Sequence, residues 1–157
     1  MGFERFGLVS YASQTRISKF VDYLQEGKIY GTECKECGAV HFPPRVHCVR
    51  CLSSSIEWKK FIGDCLLITY TKVEAAPSMF QEQAPYLLGL AELTEGPKVF
   101  AWIDKTVPED IIRIGMKLKL NPAKLSNGNL CYTLIVSNAT SKRVSGLRPI
   151  TVRELNG

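Results

Sequence analysis

The chain has 157 residues, 45% of them hydrophobic, with 20 Lys and Arg against 15 Asp and Glu, six Cys and two His. That length suits one ordinary domain or two very small ones and can bury a core without disulfides, which excludes a mostly disordered chain. No stretch approaches the ~20 apolar residues of a membrane span, and Met1 to Ser10 carries Glu4 and Arg5 in a mixed run rather than a basic end before an apolar block, so the expectation is a soluble, unexported, cytoplasmic protein without a membrane partner.

The positive charge is local. Lys35, Arg45 and Arg50 against Glu36 leave residues 34–51 at +2, Lys142, Arg143, Arg148 and Arg153 against Glu154 leave residues 138–157 at +3, and the other segments sum to zero. Clustered cations steer anionic partners, although two solvated basic surfaces would give the same count.

In chain order, the first element is a helix. Ile17, Phe20, Val21 and Leu24 fall at i, i+3, i+4 and i+7, with Ser13 as a cap and Gly27 as a stop, predicting an amphipathic helix over residues 13–27. Its apolar stripe serves equally to pack on the chain's own domain or to dock on a partner.

Next come Cys34-Lys35-Glu36-Cys37 and Cys48-Val49-Arg50-Cys51, two C-x-x-C pairs with ten residues between them. Each turn points two thiolates at one centre, and two such turns complete the tetrahedron of soft ligands that structural Zn²⁺ prefers. Gly38, after the second cysteine, suits a tight knuckle that needs positive φ. A thioredoxin-like redox pair explains one C-x-x-C but not two, and disulfides are disfavoured in an unexported chain. Four thiolates also bind iron, so spacing leaves zinc and iron open. His41 and His47 lie between the knuckles and are left outside the ligand set. Cys34, Cys37, Cys48 and Cys51 close the coordination sphere, so the metal is expected to be structural and a ribbon of this size to depend on it for folding.

After the ribbon the pattern turns to strands. Residues 64–73, 86–93, 98–104, 116–124 and 130–137 are rich in β-branched, aromatic and aliphatic residues, most of them separated by Gly, Pro or Asn. Met116, Leu118 and Leu120 share one face; Leu130, Tyr132, Leu134 and Val136 share another, and Asn127-Gly128 marks the hairpin between those strands. Pro108 to Arg113 opens as a short helix between the third and fourth strands. Five strands with a small helix after the third is the element order of an OB barrel, with another five-stranded topology as the alternative. The barrel is expected to have its own core, with Cys65 and Cys131 as small buried hydrophobes. The reading is therefore a mainly β chain: an N-terminal helical segment at 1–30, a rubredoxin-like zinc ribbon at 31–62, an OB-fold barrel at 63–137 and a basic tail at 138–157, mobile or ordered by a partner.

Little in the sequence suggests catalysis. Both histidines lie in the ribbon loop, no G-x-G-x-x-G, P-loop or H-E-x-x-H occurs, and nothing pairs Glu92 with Asp104. The classes left are a nucleic-acid module, a module for a small anionic ligand, and an accessory subunit of another enzyme.

Gly27-Lys28-Ile29-Tyr30-Gly31, the first knuckle with Gly38, Phe42-Pro43-Pro44-Arg45, the second knuckle, Trp58, Ala84-Pro85-Tyr86 and Gly115-Met116 follow one another in this order. Together they resemble the acyl-CoA-associated OB-fold family with an N-terminal rubredoxin-like zinc ribbon, domain of unknown function 35. The similarity covers about residues 17–137 and departs at Val49, where the family often has Pro. The resemblance implies a non-catalytic partner of thiolase-like enzymes, of the acetoacetyl-CoA thiolase or hydroxymethylglutaryl-CoA synthase type, that helps form a shared CoA site for passing an acyl-CoA intermediate. CoA offers phosphates for cations and a thin apolar arm for a groove. Arg45 is the candidate phosphate contact, with Phe80, Pro85 and Tyr86 as a groove wall beside the long connection between the first two barrel strands. The rival is single-stranded nucleic-acid binding, which both OB folds and zinc ribbons serve. Against it, residues 64–137 hold seven Lys and Arg against eight Asp and Glu, a poor funnel for phosphates.

Overall fold

The computed structural model describes residues 2–8, 15–137 and 149–150, with the backbone alone for Met79, Pro149 and Ile150. The expected cap Ser13, like most of the tail from 138 onward, lies outside the described residues. The helix is shorter than the periodicity predicts: α1 spans Lys19–Gln25 and starts at Ser18, whose Oγ accepts the Thr15 amide at 2.8 Å and so holds the preceding turn. Phe20, Val21 and Leu24 are each at most 1% exposed and belong to the main core, while Ile17 stays half-buried. Of the two uses open to the stripe, packing is the one realised: three of its four side chains have no surface left for docking.

The ribbon follows as a small antiparallel sheet of β1 (Ile29–Cys34), β2 (Val40–His41) and β3 (Ile56–Phe61), in the order β2-β1-β3. Gly31 in β1 permits the close approach of these pieces, because a Cβ there would collide with the Phe61 ring and the His41 carbonyl. Only Ile62 and Gly63 separate β3 from the first barrel strand, and their amides are both turned onto the Glu95 carboxylate.

The barrel strands are β4 (Asp64–Val73), β5 (Tyr86–Leu93), β6 (Lys98–Ile103), β7 (Lys117–Leu125) and β8 (Leu130–Val136). They run in the order β4-β5-β6-β8-β7, and β7 returns to β4 through Asp64↔Lys119, Cys65↔Leu118 and Leu66↔Lys117, closing the barrel. The β6–β8 pair is parallel and the others antiparallel. With the 3₁₀ turn Glu109–Ile111 between β6 and β7, this is the five-stranded OB arrangement. Strand bounds differ from expectation by a residue at some ends. A short β9 (Pro149–Ile150) pairs in parallel with Lys124 and Leu125 of β7. Among the described residues no helix is long and apolar enough to cross a membrane.

The barrel does not keep a core to itself. Phe42 and Phe61 of the ribbon, Phe20, Val21 and Leu24 of α1, and barrel residues such as Leu67, Leu93, Leu118, Leu120 and Leu134 form one buried cluster. Aromatic rings join the parts: Phe42 lies 5.9 Å from Phe20, 5.8 Å from Phe61 and 5.2 Å from Tyr132, centroid to centroid. Sequence periodicity missed this because Phe42 sits in a Pro-rich loop rather than in a patterned strand. The N-terminal segment was missed too. Phe3 and Phe6 pack on the cluster, the Gly7 amide donates to the Leu130 carbonyl at 2.8 Å, and Asn129 Nδ2 donates to Gly7 O at 2.8 Å.

Deleting most of a buried side chain here removes transfer energy and leaves a cavity, so Leu24→Ala should cost ~2–5 kcal/mol and Phe20→Ala ~3–5 kcal/mol. Denaturant unfolding of the isolated chain checks this. A variant that unfolds at the wild-type midpoint would return α1 to the role of a detachable docking helix.

Candidate metal centre and binding surfaces

The two knuckles bring Cys34, Cys37, Cys48 and Cys51 together. All four sulfurs lie within 4.8 Å of one another, and Cys34 to Cys51 and Cys37 to Cys48 are each 3.5 Å apart. A tetrahedral dication with metal–sulfur bonds of about 2.3 Å needs sulfurs about 3.8 Å apart, so the set fits one such ion with small adjustments. Gly38 has φ 69°, as the knuckle geometry requires. Amide N–H groups face the sulfurs, Arg50 N lying 3.4 Å from Cys48 Sγ.

This environment divides the thiols. Burial opposes ionisation of Cys48, but the amides of Cys51 and Arg50, with His41 and Cys37, outweigh it and bring that thiol down to about 5. The Ser53 amide favours the Cys51 thiolate, yet the sulfurs of Cys34, Cys37 and Cys48, with partial desolvation beside them, push it up to about 12 although the residue is exposed. Thiolates crowded this closely repel one another, a repulsion that a bound dication removes. His41 is buried beside Cys48, and its Nε2 has no hydrogen-bond partner among the described residues. His47 is exposed. Cys65 and Cys131 sit apart from the cluster, buried, with thiols pushed up to about 12 chiefly by desolvation, as inert small hydrophobes should be.

The other candidate residues occupy two places. Arg45 is exposed on the loop between the knuckles, its amide tied to Thr32 Oγ1 at 3.0 Å, and it lines a groove of about 540 Å³ beside the second knuckle. Phe80, Pro85 and Tyr86 do not line that groove. They lie on the β4–β5 connection and at the start of β5, where the Tyr86 ring meets Trp102 edge-on at 5.9 Å. Tyr86 therefore opens an outward-facing apolar strip on the barrel. Leu88 pairs with Trp102 and Leu90 with Phe100 across β5 and β6, and Phe100 is 60% exposed. The sequence reading missed Leu88, Leu90, Phe100 and Trp102. The signal was present, since residues 98–103 alternate between Val99, Ala101 and Ile103 on one face and Phe100 and Trp102 on the other, so both faces are apolar.

The family described as ChsH2, rubredoxin-like zinc ribbon domain, matches residues 21–57, and that described as ChsH2, C-terminal OB-fold domain, matches residues 58–121. A "DUF35 domain-containing scaffold protein" of Methanocaldococcus jannaschii is 38% identical over 92 residues, covering 58% of this chain and 64% of that relative. Another protein of that name, from Pyrococcus furiosus, is 35% identical over 111 residues, covering 70% of this chain and 80% of the relative. Among solved structures, the Ltp2-ChsH2(DUF35) aldolase aligns with a TM-score of 0.66 at 21% identity, covering 78% of this chain and 96% of that one. A DUF35 protein of unknown function from Sulfolobus solfataricus aligns with a TM-score of 0.50 at 21% identity, covering 65% and 74%. At that identity the likeness to the solved structures is one of fold.

The purified chain is expected to carry one equivalent of zinc, and Cys37→Ser or Cys51→Ser to lose it. Because ribbon and barrel share one core, metal removal should lower the melting temperature of the whole chain in a single transition rather than melt the ribbon alone. Elemental analysis and thermal unfolding with and without chelator check both. Freshly prepared protein with no metal and four freely titratable knuckle thiols would refute the assignment.

Proposed function

Because the chain belongs to the DUF35 family of zinc-ribbon and OB-fold proteins, we propose that it is a non-catalytic accessory subunit that scaffolds a thiolase-like enzyme and supplies part of a shared acyl-CoA site. Cys34, Cys37, Cys48 and Cys51 hold a structural zinc in this reading, and no chemistry passes through it. The observation that carries the proposal is the barrel's outer apolar strip of Tyr86, Leu88, Leu90, Phe100 and Trp102. The outer face of the second and third strands is where OB barrels take their ligands, and an apolar strip that is half-buried along Tyr86, Leu88, Leu90 and Trp102 and exposed at Phe100 suits a partner surface or a pantetheine arm. The names of the relatives, scaffold proteins, and of the solved neighbour, an aldolase containing a DUF35 chain, support an assembly role.

Within that role Phe80, Pro85 and Tyr86 form the wall for the acyl-pantetheine, and Arg45 contacts a CoA phosphate held mainly by the enzyme. Acetoacetyl-CoA thiolase and hydroxymethylglutaryl-CoA synthase are the partner types this reading favours. A single-stranded nucleic-acid site would need cations around the stacking face. Here Glu92 and Lys98 stand opposite each other at its edge and cancel.

The isolated chain is expected to turn over no acyl-CoA and to co-elute with a thiolase-like enzyme when the two are expressed together. Arg45→Ala should weaken CoA capture by that complex by ~1.5–3 kcal/mol, the worth of a charge-assisted hydrogen bond. Turnover by the isolated chain, or salt-sensitive micromolar binding of a labelled oligonucleotide with no CoA binding by chain or complex, would overturn the reading.

A further inference from the structure

The second knuckle holds a residue for which the fold itself gives no reason. The two knuckles repeat each other bond for bond. The Cys34 amide donates to Ala39 O at 2.9 Å and the Cys48 amide to Ser53 O at 2.9 Å; the Gly38 amide donates to Cys34 O at 2.9 Å and the Leu52 amide to Cys48 O at 3.0 Å. Both therefore put the residue after the last cysteine at positive φ, 69° for Gly38 and 60° for Leu52. Glycine adopts that conformation freely and leucine does not. Leu52 is the one non-glycine residue with positive φ among the described residues. It recovers nothing by packing, being 81% exposed, and Val49 in the same knuckle is 60% exposed. Strained backbone and exposed apolar side chains coincide where a surface is used for recognition.

Leu52 and Val49 line the groove beside the second knuckle, together with Ile17 and Val46 and the cations Arg16 and Arg45. No carboxylate lines it, and Arg16, Arg45 and the adjacent Arg50 take part in none of the ion pairs found among the described residues. The groove is thus apolar within a rim of uncompensated positive charge. We propose that it is the docking surface for the partner enzyme, which presents an apolar side chain ringed by carboxylates. This rests on the accessory-subunit reading and names the contact through which the partner is held, with Arg45 at its edge. CoA alone would explain the arginines. It would not explain a leucine held outward against its backbone preference.

The test is titration of the 157-residue chain with the thiolase-like enzyme that co-elutes with it, at two salt concentrations, for wild type, Leu52→Asn and Arg16→Glu. Asn tolerates the left-handed conformation, so Leu52→Asn should leave the melting temperature unchanged or raised while weakening the enzyme at least tenfold. Arg16→Glu should also weaken it at least tenfold and flatten the salt dependence, since it removes a charge from a complementary rim. Wild-type affinity in both variants overturns the docking surface while leaving the accessory role standing. A fall in melting temperature for Leu52→Asn overturns it in favour of a structural role for Leu52 within the chain. A wild-type dimer that Leu52→Asn dissociates overturns it in favour of a second copy. Loss of CoA binding with unchanged enzyme affinity overturns it in favour of a nucleotide site. A wild-type chain that binds no thiolase-like enzyme removes both this inference and the reading beneath it.

Discussion

Phe42 sits where the three parts of the chain meet. It leaves the ribbon directly after β2 and places its ring against Phe20 of the helix, Phe61 at the end of the ribbon and Tyr132 of the barrel. Each aromatic side chain buries ~150–250 Å², and well-oriented pairs add ~0.5–1.5 kcal/mol beyond area alone. A ribbon of this length is too small to stabilise itself by apolar burial. Its order therefore has two sources, sulfur ligation at one end and attachment to the shared aromatic cluster at the other.

Those two sources are mechanically connected. β1 runs from Ile29 in the main core to Cys34 in the sulfur cluster, and β3 runs back from beside Cys34 to Phe61 in the core. The Arg45 amide is tied to the buried Thr32 midway along β1. The loop carrying the groove is thus fixed from both sides. A surface held this way loses little conformational freedom on binding, and the affinity it delivers rises accordingly.

How much of this is legible in the sequence follows from which interactions are local. The knuckles are legible because C-x-x-C spacing and a following Gly38 are local requirements of ligation, and they appear where expected. The barrel strands are legible because alternation in segments such as Met116–Leu120 reports burial directly, and the hairpin at Asn127-Gly128 forms with Gly128 at φ 85°. The fate of the Ile17, Phe20, Val21 and Leu24 stripe is not legible, since periodicity says that a helix buries one face but not against what. Phe42 and the strap from Phe3 to Gly7 are hidden for the same reason: their partners are distant in sequence, and no local pattern marks them. Leu52 is hidden differently. Only the backbone angle, set by the knuckle's hydrogen bonds, makes an ordinary leucine conspicuous.

In the proposed role, the shared core is what makes a subunit without catalytic groups useful. A flexible tether raises the effective concentration of a bound intermediate only to the millimolar range, and that advantage falls as the tether lengthens. Here the groove beside Leu52 and the apolar strip from Tyr86 to Phe100 belong to one body, joined through Phe20, Phe42, Phe61 and Tyr132 rather than through a linker. An enzyme held at the groove would meet the strip in a fixed orientation, so the cost of orienting the acyl arm would fall on docking rather than on each transfer. The zinc, far from any reacting atom in this reading, would then govern transfer through geometry: opening the knuckles would loosen β1 and β3, and with them the relation between the two surfaces.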